Sequence, residues 1–299
     1  MSEVGSARAS VSPPGRGVRE RRGSLWEILL SDRAALAGLL ALGVVALLAL
    51  LAPVVTPHDP AVQFDLVRDR LVGPSAQHLL GTDALARDVL SRLLFGARIS
   101  LVVALCAVTI GVTTGAALGA AAGLLGGWVD AVVMRLVDVF MAVPRLVLIV
   151  AVMAAFDPSL LLVVLVLGFT LWPATTRIVR SEVLAVRERP FVEAAGALGY
   201  SRRRILIRHV VPNVMAPVIV AATLGVGHTI VLESGLSFLG LGVPPPTPSW
   251  GTMIAEGRSE MLDAWWLTTF PGLAIVGTVL AVNLVGDGLR DALDPRLHR

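Results

Sequence analysis

Long apolar runs alternate with short polar segments along most of the chain, and this pattern predicts an all-α integral membrane protein. A helix needs about 20 consecutive apolar residues to cross the hydrocarbon core of a bilayer. Six runs come close to or exceed that length, at residues 34–55, 99–125, 132–156, 159–175, 214–233 and 267–285. The third and fourth runs are the least regular, because charged residues interrupt one and Pro173 clips the other. We therefore predict six transmembrane helices.

The composition supports a membrane protein and limits the chemistry that the chain can perform. Charged residues make up 16% of the chain, whereas soluble proteins carry about 25%. All basic residues are arginines, so the chain lacks the lysine that the phosphate-binding loop G-x-x-x-x-G-K-[ST] of ATPases requires. We expect no cofactor on this chain, and any energy from a nucleotide must come from a partner; the resemblance described below implies that the chain is non-catalytic and that ATP and magnesium are bound by partner ATPase subunits. Cys106 is the only cysteine, and His58, His78 and His228 lack the spacing of metal ligands.

The arginines are distributed unevenly between the segments that connect the predicted spans. Seventeen lie in the N-terminal tail, between the fourth and fifth spans and at the C-terminus, which six spans would place on one side. Six lie in the opposite loops. Because basic residues accumulate on the cytoplasmic side, both termini are predicted to be cytoplasmic. The net charge is only +3 and no basic stripe is interleaved with aromatic residues, so we expect no nucleic-acid partner.

The longest segment on that predicted cytoplasmic side has the pattern of a helix–turn–helix, which we call the elbow (residues 189–217). Its sequence is RPFVEAAGALGYSRRRILIRHVVPNVMAP. Pro190 can open a short helix, and Gly199 suits the left-handed conformation that ends one. Ser201 can then cap a second helix, which Pro212 interrupts. On these grounds alone, the segment fits an amphipathic surface helix as well as a surface for another protein.

The elbow also resembles the EAA loop of ABC importer permeases. The resemblance lies in Glu193-Ala194-Ala195, in Gly199 four residues later and in the closing Pro212. It implies that the first arm is a coupling helix, which seats in a cleft of an ATPase subunit. The residues expected to make this coupling are Glu193, Ala194, Ala195, Gly196, Gly199 and Pro212.

Two further segments narrow the resemblance. Residues 78–101 read HLLGTDALARDVLSRLLFGARISL, and their apolar face predicts an interfacial helix on the outer membrane surface. Residues 233–251 read ESGLSFLGLGVPPPTPSWG, and their Gly and Pro content predicts a turn-rich cap. With GDGLRDALDPR near the C-terminus, they resemble the C-type permease subunit of dipeptide and oligopeptide ABC importers. Ala86 departs from the family's usual glycine, and Arg145 from its usual small polar residue.

Charged residues within predicted spans often mark a transport route, which makes Asp138, Arg145 and Glu233 candidates for lining the pathway. Arg135 and Asp138 are spaced to pair on one helix face, and an interfacial pair at a helix end is the alternative. Arg145 lies deeper, beside Pro144, and is expected to face either the pathway or a partner subunit. Glu233 lies near the outer end of the fifth span, where a capping role is the alternative.

The predicted spans and the resemblance together divide the chain into five parts. These are a basic, disordered cytoplasmic tail (1–33), an anchor helix retained in the membrane (34–55), an extracytoplasmic loop with the interfacial helix (56–98), a five-helix MetI-like permease core (99–286) containing the coupling loop (187–213), and a cytoplasmic C-terminal tail (287–299).

The resemblance implies partners and a function. The partners are a second related permease, one or two cytoplasmic ATPase subunits and an extracytoplasmic peptide-binding protein, assembled in a bacterial plasma membrane. The cargo is a dipeptide or oligopeptide, with nickel or another small solute as the alternative, because the binding protein selects cargo. A transporter driven by an ion gradient would predict inverted repeats and carboxylates near the midplane. No clear repeat is visible. A membrane scaffold without transport is disfavoured by the elaborate cap.

Overall fold

The computed structural model describes residues 25–205, 208 and 210–293 of the chain. Most of the predicted N-terminal tail lies outside these ranges. Within them the regular structure is helical, apart from one isolated β-bridge between Thr82 and Asp88. The α-helices are α1 (Leu25–Ser31), α2 (Arg33–Val55), α3 (Val89–Leu125), α4 (Gly127–Ala142), α5 (Arg145–Ala155), α6 (Leu160–Phe169), α7 (Trp172–Arg187), α8 (Pro190–Ala197), α9 (Arg202–Ile205), α10 (Val211–Phe238), α11 (Trp250–Gly257) and α12 (Trp266–Leu293).

Five helical segments are long and apolar enough to cross a membrane: α2, α3, the α6–α7 pair, α10 and α12. A sixth candidate is the pair α4 and α5, whose axes meet at 83°. By length and composition alone, such a bent pair is either a broken crossing or a loop that re-enters on the side from which it came.

Helix packing identifies the bent pair as a sixth crossing. Gly111 of α3 faces Leu171, Gly115 faces Thr175 and Gly123 faces Val183. The residue numbers rise together, so α3 and the α6–α7 pair cross in the same direction. The chain between them must therefore cross back, and α4 with α5 is the segment that does so. The prediction of six transmembrane helices is confirmed.

The two described ends of the chain lie on the same side of the bundle as the elbow. Ala35, at the start of α2, contacts Gly288 near the end of α12, so these helices are antiparallel. Gly286 of α12 faces Leu224 of α10, and Gly227 faces Val282, so this pair is antiparallel too. We call this side the elbow side. The opposite side, formed by residues 56–88 and 239–265, is the loop side.

The predicted interfacial helix on the loop side is wrong. A tight turn closed by the Thr82–Asp88 bridge precedes α3, and the Asp88 side chain caps α3 by accepting from the backbone N–H of Ser91. The 37 residues of α3 span about 55 Å, well beyond the ~30 Å hydrocarbon core. Its projecting first turn buries Val89 against Met253 of α11. On the apolar face that suggested contact with lipid, Val89 and Leu94 are therefore buried in protein, whereas Leu85 is exposed.

A stripe of glycines at every fourth position lets α3 pack closely against the α6–α7 pair. The stripe consists of Gly111, Gly115, Gly119 and Gly123. Transmembrane helices gain little from burying apolar surface that lipid already covers, so small residues that let two backbones approach supply much of the packing. A Cβ on Gly119 would lie 2.5 Å from the carbonyl oxygen of Thr176, which is backbone and cannot turn aside.

We expect Gly119→Ala to lower the thermal stability of the purified protein, because overpacking typically costs about 1–3 kcal/mol. Gly277→Ala on α12 is the matched control. No atom of the described chain lies within 4 Å of a Cβ at that position, and alanine favours a helix more than glycine does. The measurement is the temperature at which half of the detergent-solubilised protein is lost from its size-exclusion peak. Equal temperatures for the two variants would contradict the close packing of α3.

Candidate functional site

The elbow projects between α7 and α10 as two short helices joined by a left-handed turn. α8 begins at Pro190, where a missing N–H costs nothing because first-turn donors have no intrahelical partner. Gly199 has a φ of +78°, which confirms the left-handed conformation predicted for it. The Ser201 hydroxyl accepts a hydrogen bond from the backbone N–H of Arg204 at 3.3 Å, so the predicted cap is also confirmed.

The α8 helix packs against the bundle through Val192, and its exposed residues form an open face. Val192 is buried in a cluster of valines from α7, from α10 and from Val210 just before α10; the others are Val179, Val183, Val186, Val214 and Val218. Ala194, Ala197 and Leu198 are exposed. An open face of mostly small side chains allows a partner protein to approach the α8 backbone closely.

The remaining predicted coupling residues fall at two places. Glu193, Ala195 and Gly196 lie within α8. Pro212 does not close the second arm of the elbow, as predicted, but lies in the first turn of α10, which starts at Val211. Proline is tolerated there for the same reason as at the start of α8. The predicted second helix falls partly outside the described residues, which show it only as α9.

The broken third crossing places Arg145 at the corner between α4 and α5. Pro144 precedes it, and Arg145 is the first residue of α5. The guanidinium Nε donates to the Thr170 hydroxyl at 3.1 Å, and Nη2 donates to the Leu167 carbonyl at 3.5 Å. A cavity of about 220 Å³ opens at this corner, and residues that line it include Phe140, Arg145, Leu148, Thr170 and Pro173.

Asp138 does not pair with Arg135, as the sequence spacing predicted. Its Oδ1 accepts a hydrogen bond from Arg177 Nη2 at 2.8 Å, and both side chains are exposed. A second ion pair joins Asp130 to Arg180, with 2.6 Å between Oδ2 and Nη2. Both pairs link α4 to α7. The ion pair with Arg177 gives Asp138 a structural role in joining two crossings. A role of Asp138 in lining the pathway stays a prediction.

Glu233 is fully buried instead of facing an opening in the described chain. Its Oε1 accepts hydrogen bonds from Ser237 at 2.9 Å and from Ser249 at 2.8 Å. Ser249 is also the N-cap of α11, in a capping box with Thr252. In this conformation Glu233 therefore fastens the cap to α10, which is closer to the alternative capping role than to a pathway lining.

A buried ion-pair network on the loop side went unnoticed in the sequence. Arg87 Nε lies 2.7 Å from Asp83 Oδ2, and Arg87 Nη2 lies 2.7 Å from Glu256 Oε2. Arg92 Nη1 contacts Glu256 at 2.7 Å and also contacts Asp83. Both arginines are buried. The network joins the turn before α3 to α11. Glu256 lies far along the chain from both arginines, so no local sequence pattern indicated that they pair.

Three possible metal ligands meet on the loop side, although their spacing suggested no site. Potential ligand atoms of His58, His78 and Asp88 lie within 4.8 Å of one another. Asp88 Oδ1 is 3.0 Å from His78 Nδ1, while its Oδ2 accepts from the N–H and the hydroxyl of Ser91. Both carboxylate oxygens already have partners, so the cluster is explained by its role as the cap of α3.

Six crossings, a projecting elbow with an open helix face and an ordered cap opposite define a membrane transport subunit of the permease class. The chain belongs to the family described as binding-protein-dependent transport system inner membrane component, whose profile matches residues 115–299. A second profile, the N-terminal TM domain of oligopeptide transport permease C, matches residues 23–74. The chain is thus a multi-pass inner membrane permease.

Relatives match over nearly the whole chain. The di/tripeptide transport system permease protein DppC of Pseudomonas aeruginosa is 44% identical over 279 residues, covering 91% of both chains. The dipeptide transport system permease protein DppC of Escherichia coli K12 is 44% identical, covering 92% of this chain and 93% of that protein. A structure of the MetNI methionine ABC transporter in an inward-facing conformation shares the fold, with a TM-score of 0.56, 18% identity, and coverage of 68% of this chain and 96% of that one.

Proposed function

We propose that this chain is the C-type permease subunit of an ABC importer for dipeptides or oligopeptides. The observation that carries the proposal is the elbow, a short helix that packs through Val192 against two crossings and exposes Ala194, Ala197 and Leu198. The relatives named above, which are called dipeptide and di/tripeptide permeases, support the cargo. The likeness to the methionine transporter supports only the fold, because the identity is too low to indicate a cargo.

The elbow is suited to transmit movement from an ATPase to the crossings. Val192 packs among valines of α7 and α10, so a displacement of α8 acts on both helices at once. The glycine stripe and the ion pairs to α4 in turn join α7 to its neighbours. Rigid-body rotation of packed helices is a common way to open one side of a site and close the other. In the proposed mechanism, ATP-driven closure of the ATPases moves α8, and the crossings alternate access.

The energy and the cargo come from partner chains in this scheme. ATP and magnesium bind to one or two ATPase subunits, since this chain has no lysine for a phosphate-binding loop. A second, related permease completes the pathway, and an extracytoplasmic binding protein delivers the peptide on the loop side. The elbow side and both termini are cytoplasmic, because most arginines of the chain lie there.

The proposal is tested by co-purification and uptake. When the chain is expressed with the permease, ATPase and binding-protein genes next to its own, the ATPase should co-purify with it. Membrane vesicles containing the complex should accumulate labelled dipeptide only when ATP is present on the elbow side. Accumulation of nickel and not of peptide would show that the cargo is the metal. Loss of uptake when an ion gradient is collapsed in the presence of ATP would overturn the assignment as an ABC importer.

A matched pair of variants locates the ATPase contact. Ala194→Arg places a long cation on the exposed face of α8 and should remove most of the co-purifying ATPase. Val67→Arg places the same side chain on the loop side, where Val67 is 92% exposed, and should leave the complex intact. Equal ATPase recovery with both variants would show that α8 is not the contact.

A further inference from the structure

Arg145 lies near the middle of the membrane and not at its surface. Its partner Thr170 lies ten residues into the span that begins at Leu160, which is about 15 Å of helix or half of the ~30 Å hydrocarbon core. Gly168, two residues before Thr170, faces Ala107, which lies well inside α3. A charge held at this depth is costly and normally faces a water-filled cavity or a protein partner.

The guanidinium of Arg145 is only partly satisfied by the chain itself. Thr170 and Leu167 accept from Nε and Nη2, whereas Nη1 has no acceptor among the described residues. No described carboxylate forms an ion pair with Arg145. The cavity of about 220 Å³ beside it has room for a carboxylate group with several waters, since one water occupies about 30 Å³ in the liquid.

A histidine of α10 lies at a similar depth in the bundle. His228 is exposed. Gly225, one turn earlier, faces Val108 of α3, which sets His228 at nearly the same depth as Arg145. Arg145 and His228, on different crossings, thus lie at a similar depth.

We propose that Arg145 binds the C-terminal carboxylate of the transported peptide at the midpoint of the pathway. This inference rests on the proposed function. The planar guanidinium offers parallel N–H donors that match the two oxygens of a carboxylate, and such charge-assisted pairs are the stronger hydrogen bonds. A free carboxylate is present on every unmodified peptide, so the site recognises the class of cargo and not its side chains.

The depth and the charge distinguish this ligand from the other anions that a membrane protein meets. Lipid phosphates lie in the headgroup region, about 15 Å away from the middle of the bilayer. A carboxylate of the second permease, paired permanently with Arg145, is the remaining competitor. It would make Arg145 an assembly residue whose loss affects every cargo equally.

The contact between Arg145 and the peptide carboxylate is tested by changing each of them separately and both together. Vesicles with the whole complex and saturating binding protein are given a labelled dipeptide or the same dipeptide with a C-terminal amide. Arg145→Gln should slow uptake of the free acid about tenfold, the effect of one charge-assisted hydrogen bond, and change uptake of the amide less than twofold. The binding protein can capture the two peptides unequally, but this difference is the same for the wild-type complex and for Arg145→Gln. It therefore drops out when the effects of the substitution on the two peptides are compared.

Arg135→Gln is the control, since Arg135 is an exposed arginine of α4 outside the cavity, and it should slow neither peptide. Equal slowing of both peptides by Arg145→Gln would overturn the proposal in favour of an assembly role, and no slowing of either would remove Arg145 from the pathway. If Arg145→Gln fails to assemble, Arg145→Lys keeps the charge without the planar fork and should slow the free acid about threefold more than the amide. Absence of any peptide uptake by the wild-type complex would instead refute the proposed function.

Discussion

Gly199→Val is expected to abolish peptide uptake while the protein reaches the membrane in normal amounts. Gly199 has a φ of +78°, a region that costs other residues about 1–2 kcal/mol and a β-branched residue more. Among the described residues no atom lies within 4 Å of an added Cβ, so the expected penalty is that of the backbone conformation. The turn between α8 and α9 would refold and misdirect α8, whereas the six crossings, which do not depend on this turn, would remain assembled.

The measurement is the initial rate of ATP-dependent uptake at matched membrane levels, which we expect to fall below about a tenth of the wild-type rate. Gly199→Asn is the control, because asparagine tolerates the left-handed conformation and also ends helices in this way. It should transport at nearly the normal rate. If the valine and asparagine variants transported equally well, the geometry of the elbow would not be what couples the ATPase to the crossings.

The number and order of the crossings could be predicted from the sequence because each crossing is a local property of an apolar run. The bend in the third crossing could not be predicted in the same way. Pro144 marks a break, but its angle depends on Arg145 reaching Thr170 and on Phe140 packing edge-on against Trp172. These contacts join segments that are far apart along the chain.

The turn of the elbow could be predicted because its signals act over a few residues. Gly199 and Ser201 do what their local chemistry favours, which is to end one helix and to cap the next. Pro212 was misjudged, since a proline after a helical pattern is compatible both with the end of that helix and with the start of another. Only the position of α10 decides between the two.

The loop side was the least predictable part, because its partners are distant in sequence. Arg92 reaches Glu256 across 164 positions, and Ser249 reaches Glu233 from a different element. Periodicity showed that one face beyond Val89 is apolar but not whether lipid or protein covers it. The glycine stripe of α3, by contrast, was visible as a four-residue repeat and could have indicated the close contact with α7.

The last prediction concerns the sidedness of the six crossings. Cys106→Ala should give a cysteine-free background at little cost, because Cys106 is exposed on α3 and packs in no described cluster. Single cysteines then replace Val67 and Leu262 on the loop side, which are 92% and 95% exposed. Two more replace Trp128 and Leu198 on the elbow side, which are 77% and 74% exposed.

A membrane-impermeant maleimide added to spheroplasts should label positions 67 and 262, and positions 128 and 198 only after the membrane is opened. Because Leu198 adjoins the open face of α8, a co-expressed ATPase should then protect position 198 more than position 128. Labelling of 198 from outside would reverse the orientation proposed from the arginines. Labelling of 128 and 198 from opposite sides would contradict the return of the chain through α4 and α5, since six crossings place both positions on the elbow side.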